Sequence, residues 1–463
     1  MPLPKPVSLR QRHAPATAPR RLLHALFLCA AVLMALPASG LRAQTILRDP
    51  DIEYSLARLA RPILNAAGLS PAQVKIIVLK DSSLNAFVVD GRAIFIHSGL
   101  ILKLDTPGEL QAVIAHEAAH IANGHISRRL ADMRSARTAA GLGLILSAVA
   151  AGAGGADAGA GLALGTTSAA QRAFLAHTRA EESAADQSSA RYLANAGVDP
   201  EAMVRVLEMF RGQEALSVSH QDPYALTHPL TRERLTRARA YAAALKPRGK
   251  GDREAAYWFA RARGKLGAFI RSPGWALSEA KKAPSRDIAL MMQAVAWHRI
   301  PKQKKAIAAI GELARMRPKD PFIHELRGQI LLESRHVKDA VRAYAQARAL
   351  APRSPLIAAG YGRALLALDT PEANRKALAV LEKAHASDPR DPALLRDLAL
   401  AHARAGQPGR AALATAERLA LTGHLRDAAL HARRAADQLP RGSPAWRRAQ
   451  DILTAARQAK KRR

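Results

Sequence analysis

The sequence predicts a mostly α-helical protein in two parts: a mixed α/β domain with one small sheet, then a solenoid of helical hairpins. Three observations carry this. Apolar residues make up 49% of a 463-residue chain but aromatics only 4%; alanine and leucine fill the difference and favour helices. Convincing strand pattern is confined to one stretch, residues 74–97. From residue 284 a period of 34 sets in, a length that marks stacked helical hairpins.

The first 43 residues hold six Lys/Arg and no Asp/Glu, and Arg20 and Arg21 precede the apolar stretch LLHALFLCAAVLMALPASGLRAQ. A basic start, an apolar middle and small residues at the end are the build of a secretory signal peptide. The expected cut is after Ala43, with Gly40 as the alternative site and a retained membrane anchor as the alternative role. Leu28 stands where a lipoprotein signal wants a small residue before Cys29, the sole cysteine. The mature chain would therefore contain none, and an exported chain without disulfides suits the bacterial periplasm. The formal charge of +32 fits nucleic acid, anionic lipid or an acidic partner equally. Its basic residues are scattered through helical segments, with one short run at Lys460–Arg463 and no aromatic–basic stacking platform. That excludes nucleic acid as the leading partner and leaves peripheral contact with anionic headgroups as a hypothesis.

Helical spacing over 50–68 (Ile52, Leu56, Leu59, Ile63, Leu64) stops at Gly68. VKIIVLKD and RAIFIHSG are expected as two strands around an Asp90-Gly91 turn, with Asn85 capping a strand end or fixing an edge strand. The next helix starts well: Thr106 caps, Pro107 suits the first position and Glu109 closes a capping box. Residues 139–165 are alanine and glycine, with a dense apolar part of about 13 residues against the roughly 20 that a membrane helix needs; a mobile flap or lipid-touching loop is expected. A helix follows from about 168 to Ala196, ending at Gly197. The charged KPRGKGDRE at 246–254 reads as the linker. The expected organisation is thus a signal peptide at 1–43, a mixed helix-and-sheet domain at 44–245, a linker with first helices at 246–283, and repeats at 284–463.

Within the repeats, Pro284, Pro318 and Pro352 stand 34 apart and Pro389 follows at 37, after an insertion around DTPEANRKA. Aligned on those prolines, small residues recur at Ala294, Gly328, Gly362 and Ala399, and again at Ala306, Ala340, Ala377 and Ala411. Small residues where two helices cross, with proline at the exit, resemble tetratricopeptide repeats. RLALTGHLRDAALHARRAADQLP and SPAWRRAQDIL read as an atypical last hairpin and a capping helix.

Residues 116–120 are HEAAH. Four residues along a helix is about 40° of rotation, so His116 and His120 face one side and can share a metal. Glu117 is one residue round, placed to act as a base on water and not to ligate. The pattern alone is weakly specific, because three fixed positions in five also arise by chance. His125 lies nine residues from His116, about half a turn round, and reaches the same metal only if the helix breaks. His125 and His177 are expected as ordinary surface or packing histidines. A metzincin extension would need Gly at 123 and His at 126, where the chain has Asn123 and Ile126. An acid from a second helix is the alternative, and TRAEESAADQSSARYL offers Glu182 with Asp186 four residues on.

HEAAH, then ESAAD (Glu182 to Asp186), then THPLTRER (His228, Pro229, Arg234), in that order and preceded by NAFVV, resembles the HtpX and CAAX-prenyl-protease group of gluzincins. With the leader and the repeats, the chain is similar to that group's periplasmic, repeat-bearing members, which enhance β-barrel assembly; the likeness covers about residues 45–455. It implies a zincin-like α+β domain holding one Zn2+ on His116, His120 and Glu182, with Glu117 as general base. It further implies that Asp186 orients a histidine ligand and that His228 either stabilises the oxyanion or occupies the open zinc position as a reversible latch. Arg234 would position substrate or the oxyanion. The chain departs from the pattern at Ala184, where a second acid is usual and does not ligate.

The same resemblance implies unfolded or misassembled outer-membrane β-barrel proteins as clients and the barrel-assembly machinery as the repeats' partner. Two rivals stand against it: a chaperone or scaffold with a latched or inactive site, and a membrane-embedded protease. The second would need several apolar runs near 20 residues, which the mature chain lacks.

Overall fold

The computed structural model describes residues 45–129, 178–217, 220–248 and 251–461. The leader, the Gly/Ala-rich segment and His177 lie outside the described residues. Chain order gives β1 (Thr45–Leu47), α1 (Pro50–Ala66), β2 (Lys75–Lys80), β3 (Ala86–Val88) and β4 (Ala93–His97). The helices α2 (Ser98–Lys103), α3 (Pro107–Ala122), α4 (Arg179–Asn195), α5 (Glu201–Met209), α6 (Pro223–Thr227) and α7 (Arg232–Ala244) complete the first half. No helix among the described residues is long and apolar enough to cross a membrane.

The sheet order is β1-β2-β4-β3, with β2 parallel to β4 and both outer pairs antiparallel. Sequence expected two strands hinged at Asp90-Gly91; four are found among the described residues. NAFVV is itself strand, so the turn joins β3 to β4 and not the two longer runs. At three residues each, β1 and β3 are too short to show a period. β3 is left at the edge, with Ala86 opposite Ile96 and Phe87 stacked on Phe95 at 5.3 Å.

α3 starts as expected. Thr106 accepts from the Glu109 backbone, Glu109 receives the Asp105 N–H at 2.8 Å, and Pro107 opens the first turn. Its whole run from Glu109 to His120 is buried, which a helix in the middle of a domain permits and a surface helix does not. α4 packs along it. The expected start of α4 near 168 is corrected, because Thr178 caps a new helix and forms a capping box with Glu181. Glu182, Ala185, Asp186, Ser189, Ala190 and Leu193 form its buried face.

α8 (Ala255–Ile270) and α9 (Pro273–Ala280) follow, and α8 is no tether. Phe259, Ala262 and Leu266 pack into the apolar core of the first half beside α1, while Ala268 joins the next apolar cluster. The two halves also share a seam of buried charge. Lys265 Nζ lies 2.9 Å from Asp49 and 3.7 Å from both Asp51 and Glu325. Arg261 bridges Asp51 at 2.8 Å and Asp320 at 2.6 Å. Farther along, Arg48 reaches Asp388 at 2.6 Å.

The remaining helices pair antiparallel in tetratricopeptide-like hairpins: α10 (Arg286–Arg299) with α11 (Gln303–Met316), α12 (Pro321–Glu333) with α13 (Val337–Leu350), and α14 (Pro355–Leu368) with α15 (Pro371–Ser387). α16 (Pro392–Arg404) then pairs with α17 (Pro408–Leu421), and α18 (Leu425–Gln438) with α19 (Pro444–Lys461). Pro318, Pro352 and Pro389 sit in the turns between hairpins. The segment expected as a self-contained last hairpin instead splits at Gly423 (φ +82°) into the end of α17 and α18. Of the recurring small residues, Ala294, Ala306, Gly328, Ala340, Gly362 and Ala377 are buried, while Ala399 and Ala411 are half-buried.

Tyr344 explains two of the glycines around it. A Cβ at Gly360 would stand 2.4 Å from its ring, and one at Gly328 2.6 Å. Gly360→Ala is therefore expected to destabilise the array by about 1–3 kcal/mol through overpacking. At Gly311, where the nearest atom is Arg315 Nη1 at 3.9 Å, the same change should stabilise by roughly 0.4–1 kcal/mol. Urea denaturation of the two variants reads the opposite signs.

Candidate metal centre

α3 and α4 bring the two motifs face to face. His116 Nε2 lies 3.1 Å from His120 Nε2 and 3.3 Å from Glu182 Oε2, and His120 Nε2 lies 3.4 Å from Glu182 Oε1. His228 completes the group: its Nδ1 is 3.2 Å from His116 Nε2 and 2.9 Å from Glu182 Oε1. One ligand atom from each of these four buried residues lies within 4.8 Å of every other. Donor atoms on a tetrahedron about 2.0–2.1 Å from zinc stand roughly 3.3–3.4 Å apart, close to the separations found.

Charge points the same way. Glu117, Glu182 and Asp186 are buried acids, with Arg234 the one buried arginine among them. With neutral imidazoles a divalent cation restores balance. Both oxygens of Glu117 are buried without a hydrogen-bonding partner among the described residues, a cost a folded protein rarely leaves unmet. Burial, only partly offset by His228 and His116, raises the pKa of Glu117. Burial also pushes Glu182 upward, but Arg234, His228 and His116 outweigh it and hold that carboxyl well below its usual range. Burial opposes protonation of His116, yet in the metal-free site Glu182 and Asp186 lift it to about 9, so a cation bound at Nε2 would have to displace a proton.

Asp186 Oδ1 sits 3.1 Å from His116 Nδ1, the ring nitrogen turned away from the cluster. Arg234 grips Asp186 with Nε at 2.6 Å and Nη2 at 2.9 Å, and Nη1 reaches Glu182 at 2.5 Å. Nη1 also donates to the carbonyls of His228 and Pro229 at 3.3 Å. The guanidinium expected to position substrate or oxyanion thus meets Asp186 behind the cluster and Glu182 within it, with Nη2 3.5 Å from His116 Nε2.

His228 is held from three sides. Tyr224 lies over its ring at 4.6 Å, its backbone N–H donates to Tyr224 O, and its Nε2 approaches Ala86 O at 3.3 Å and Glu117 Oε1 at 3.3 Å. Tyr224 N in turn donates to Leu84 O at 3.1 Å, and Thr227 Oγ1 approaches Asn85 at 3.5 Å. The Asn85 carbonyl accepts from His97 N at 2.9 Å. Strand alternation therefore turns Ala86 O to the outer side of β3, the side His228 occupies. Sequence missed Tyr224, which carries no motif.

Of the two roles expected for His125, surface or packing, the structure shows packing. α3 ends at Ala122, Gly124 takes φ +70° and helical backbone resumes at His125. His125 is buried with Nδ1 2.9 Å from His120 Nδ1, and is no surface residue. The Asn123-Gly124 pair was the available signal, since glycine after a helix end marks a left-handed stop.

The Arg234 contacts generate a prediction. Arg234→Met leaves two buried acids without their cation and should cost the metal-free protein roughly 3–5 kcal/mol, read by urea denaturation. Divalent metal should narrow the gap from the wild type.

Residues 47–242 match Peptidase family M48. A Yersinia pestis beta-barrel assembly-enhancing protease is 26% identical over 388 residues, 83% of this chain and 79% of its own length. The Escherichia coli protein of that name is 26% identical over 202 residues, 44% of this chain and 41% of its own. A Vibrio cholerae relative is 31% identical over 206 residues, again 43% and 41%. The chain thus aligns with about two fifths of the length of the last two. With the HEAAH helix, the acid of α4 and a buried cluster able to hold a metal inside the matched segment, residues 47–242 form a metallopeptidase domain similar to Peptidase family M48.

Proposed function

We propose that this chain is an exported zinc endopeptidase of the periplasm. Its clients are unfolded or misassembled outer-membrane β-barrel proteins, and its repeats dock on the barrel-assembly machinery. The observation that carries this is the convergence of His116, His120 and Glu182 beside a buried, hydrogen-bond-poor Glu117. Clients and partner rest on the names of the relatives; the leader rests on the sequence.

His116, His120 and Glu182 hold zinc, which when bound supplies Lewis-acid polarisation of a peptide carbonyl and of water. Glu117 takes the proton from the attacking water and returns it to the amide nitrogen as the C–N bond breaks. Asp186 orients His116 through Nδ1, and Arg234 fixes both Asp186 and Glu182. A client strand lies extended along β3, reading backbone more than side chain.

His228 favours a resting latch over an oxyanion stabiliser. Its Nδ1 is inside the ligand cluster and its Nε2 faces the outward Ala86 carbonyl, a group that a client strand on β3 would itself use. The chaperone or scaffold reading survives in that form, as the state of the enzyme between clients.

Mature protein incubated with an unfolded β-barrel protein should degrade it. Glu117→Gln should slow the time-course by about a hundred- to ten-thousand-fold. Equal cleavage by both would remove Glu117 as the base. His228→Ala should cleave faster than the wild type; a rate lower by about a hundredfold or more would assign the oxyanion role instead.

A further inference from the structure

We propose that His125 is a positioning residue for the metal ligand His120, supplying a neutral acceptor where metal sites more often use a carboxylate or a carbonyl. The proposal rests on His116, His120 and Glu182 being the metal ligands. His120 turns Nε2 towards His116 and Glu182 and Nδ1 towards His125 Nδ1, 2.9 Å away. An imidazole that gives Nε2 to a metal carries its proton on Nδ1. That proton is donated to His125, so His125 Nδ1 bears the lone pair and its proton sits on Nε2. The ring orientation of a ligand histidine is set by such a bond, and loss of the partner typically costs 10- to 100-fold in metal affinity.

The turn that delivers His125 is built. Gly124 at φ +70° breaks the helix immediately after α3, and helical backbone resumes at His125. Asn123, at the helix end, is bonded to Ser188 of α4, with Nδ2 3.3 Å from the hydroxyl. Arg128 returns to the Asn123 carbonyl at 2.9 Å. The His125 ring is thereby fixed against the same helix that carries Glu182.

The two ligand histidines differ in a way that charge explains. His116 is backed by Asp186, whose negative charge Arg234 meets at 2.6 Å. A second carboxylate behind His120 would add another buried anion to a cluster that already needs a divalent cation for balance. An imidazole accepts the same bond and adds no charge.

The test compares zinc affinity of the full mature chain, by competition with a chromophoric chelator, across wild type, His125→Leu and His125→Asn. Leucine fills the space without an acceptor; asparagine puts its Oδ1 near the place of the histidine Nδ1. The expected result is a loss of roughly 10- to 100-fold for His125→Leu, substantially recovered in His125→Asn, with metal-free melting temperatures alike. Equal affinity in all three, or an equal loss in both variants, overturns the proposal. Should His125→Leu not fold, 15N-histidine NMR of the zinc-loaded wild type decides: a proton on His125 Nε2 supports the proposal, and one on Nδ1 overturns it. A wild type that takes up no zinc overturns the metal reading itself, whereas zinc binding indifferent to residue 125 overturns this inference alone.

Discussion

The buried charge between α3 and α4 is the constraint on which the first half of the molecule turns. Three acids, three imidazoles and one guanidinium share a space from which water is excluded. In such a place an unpaired charge costs several kcal/mol, so each group must be met by another. Arg234 meets Glu182 and Asp186; Asp186 and Glu182 meet His116; His228 faces Glu182 and Glu117. What is left over is negative and lies next to imidazole nitrogens, the chemistry of a divalent cation site. The sheet and helices can be understood as the frame that keeps these groups in register.

The frame uses ordinary means. α3 is buried from Glu109 to His120 and gains little from amphipathicity, so its start is fixed by Thr106, Pro107 and Glu109. α4 is mostly polar in composition, and is placed by its own capping box and a buried stripe of small residues. Small residues matter because they bring the two backbones close enough for Glu182 to reach the histidines. Arg234 comes from α7, where Thr231 caps the helix and aims the arginine inward from its first turn.

Much of this was legible in the sequence, and the reasons are local. HEAAH, the capping box and the Glu182–Asp186 spacing are contained within single helices, where period 3.6 fixes facing. The repeat prolines mark turns whatever lies around them. What was not legible depended on breaks or on distance. His125 was placed by continuing a helix that stops at Gly124. Strand β3 was too short to show a period, and Tyr224 acts only because α6 folds over the site. The Arg234 guanidinium was assigned to substrate because sequence cannot show two carboxylates waiting for it. The burial of Lys265 and Arg261 on α8 was not legible either, because the acids that surround them run from Asp49 to Glu325, far away in the chain.

That ionic seam has a mechanical meaning. A chain joined by a loose tether lets its two ends sample many separations, and the local concentration of one at the other is diluted accordingly. A joint of buried cations locked between acids from both halves offers no such slack. Whatever grips the first repeats is held at one distance and bearing from β3, as work is held in a vice and not on a leash. The distance from the first repeats to β3 then becomes a property of the fold and not of a linker's length.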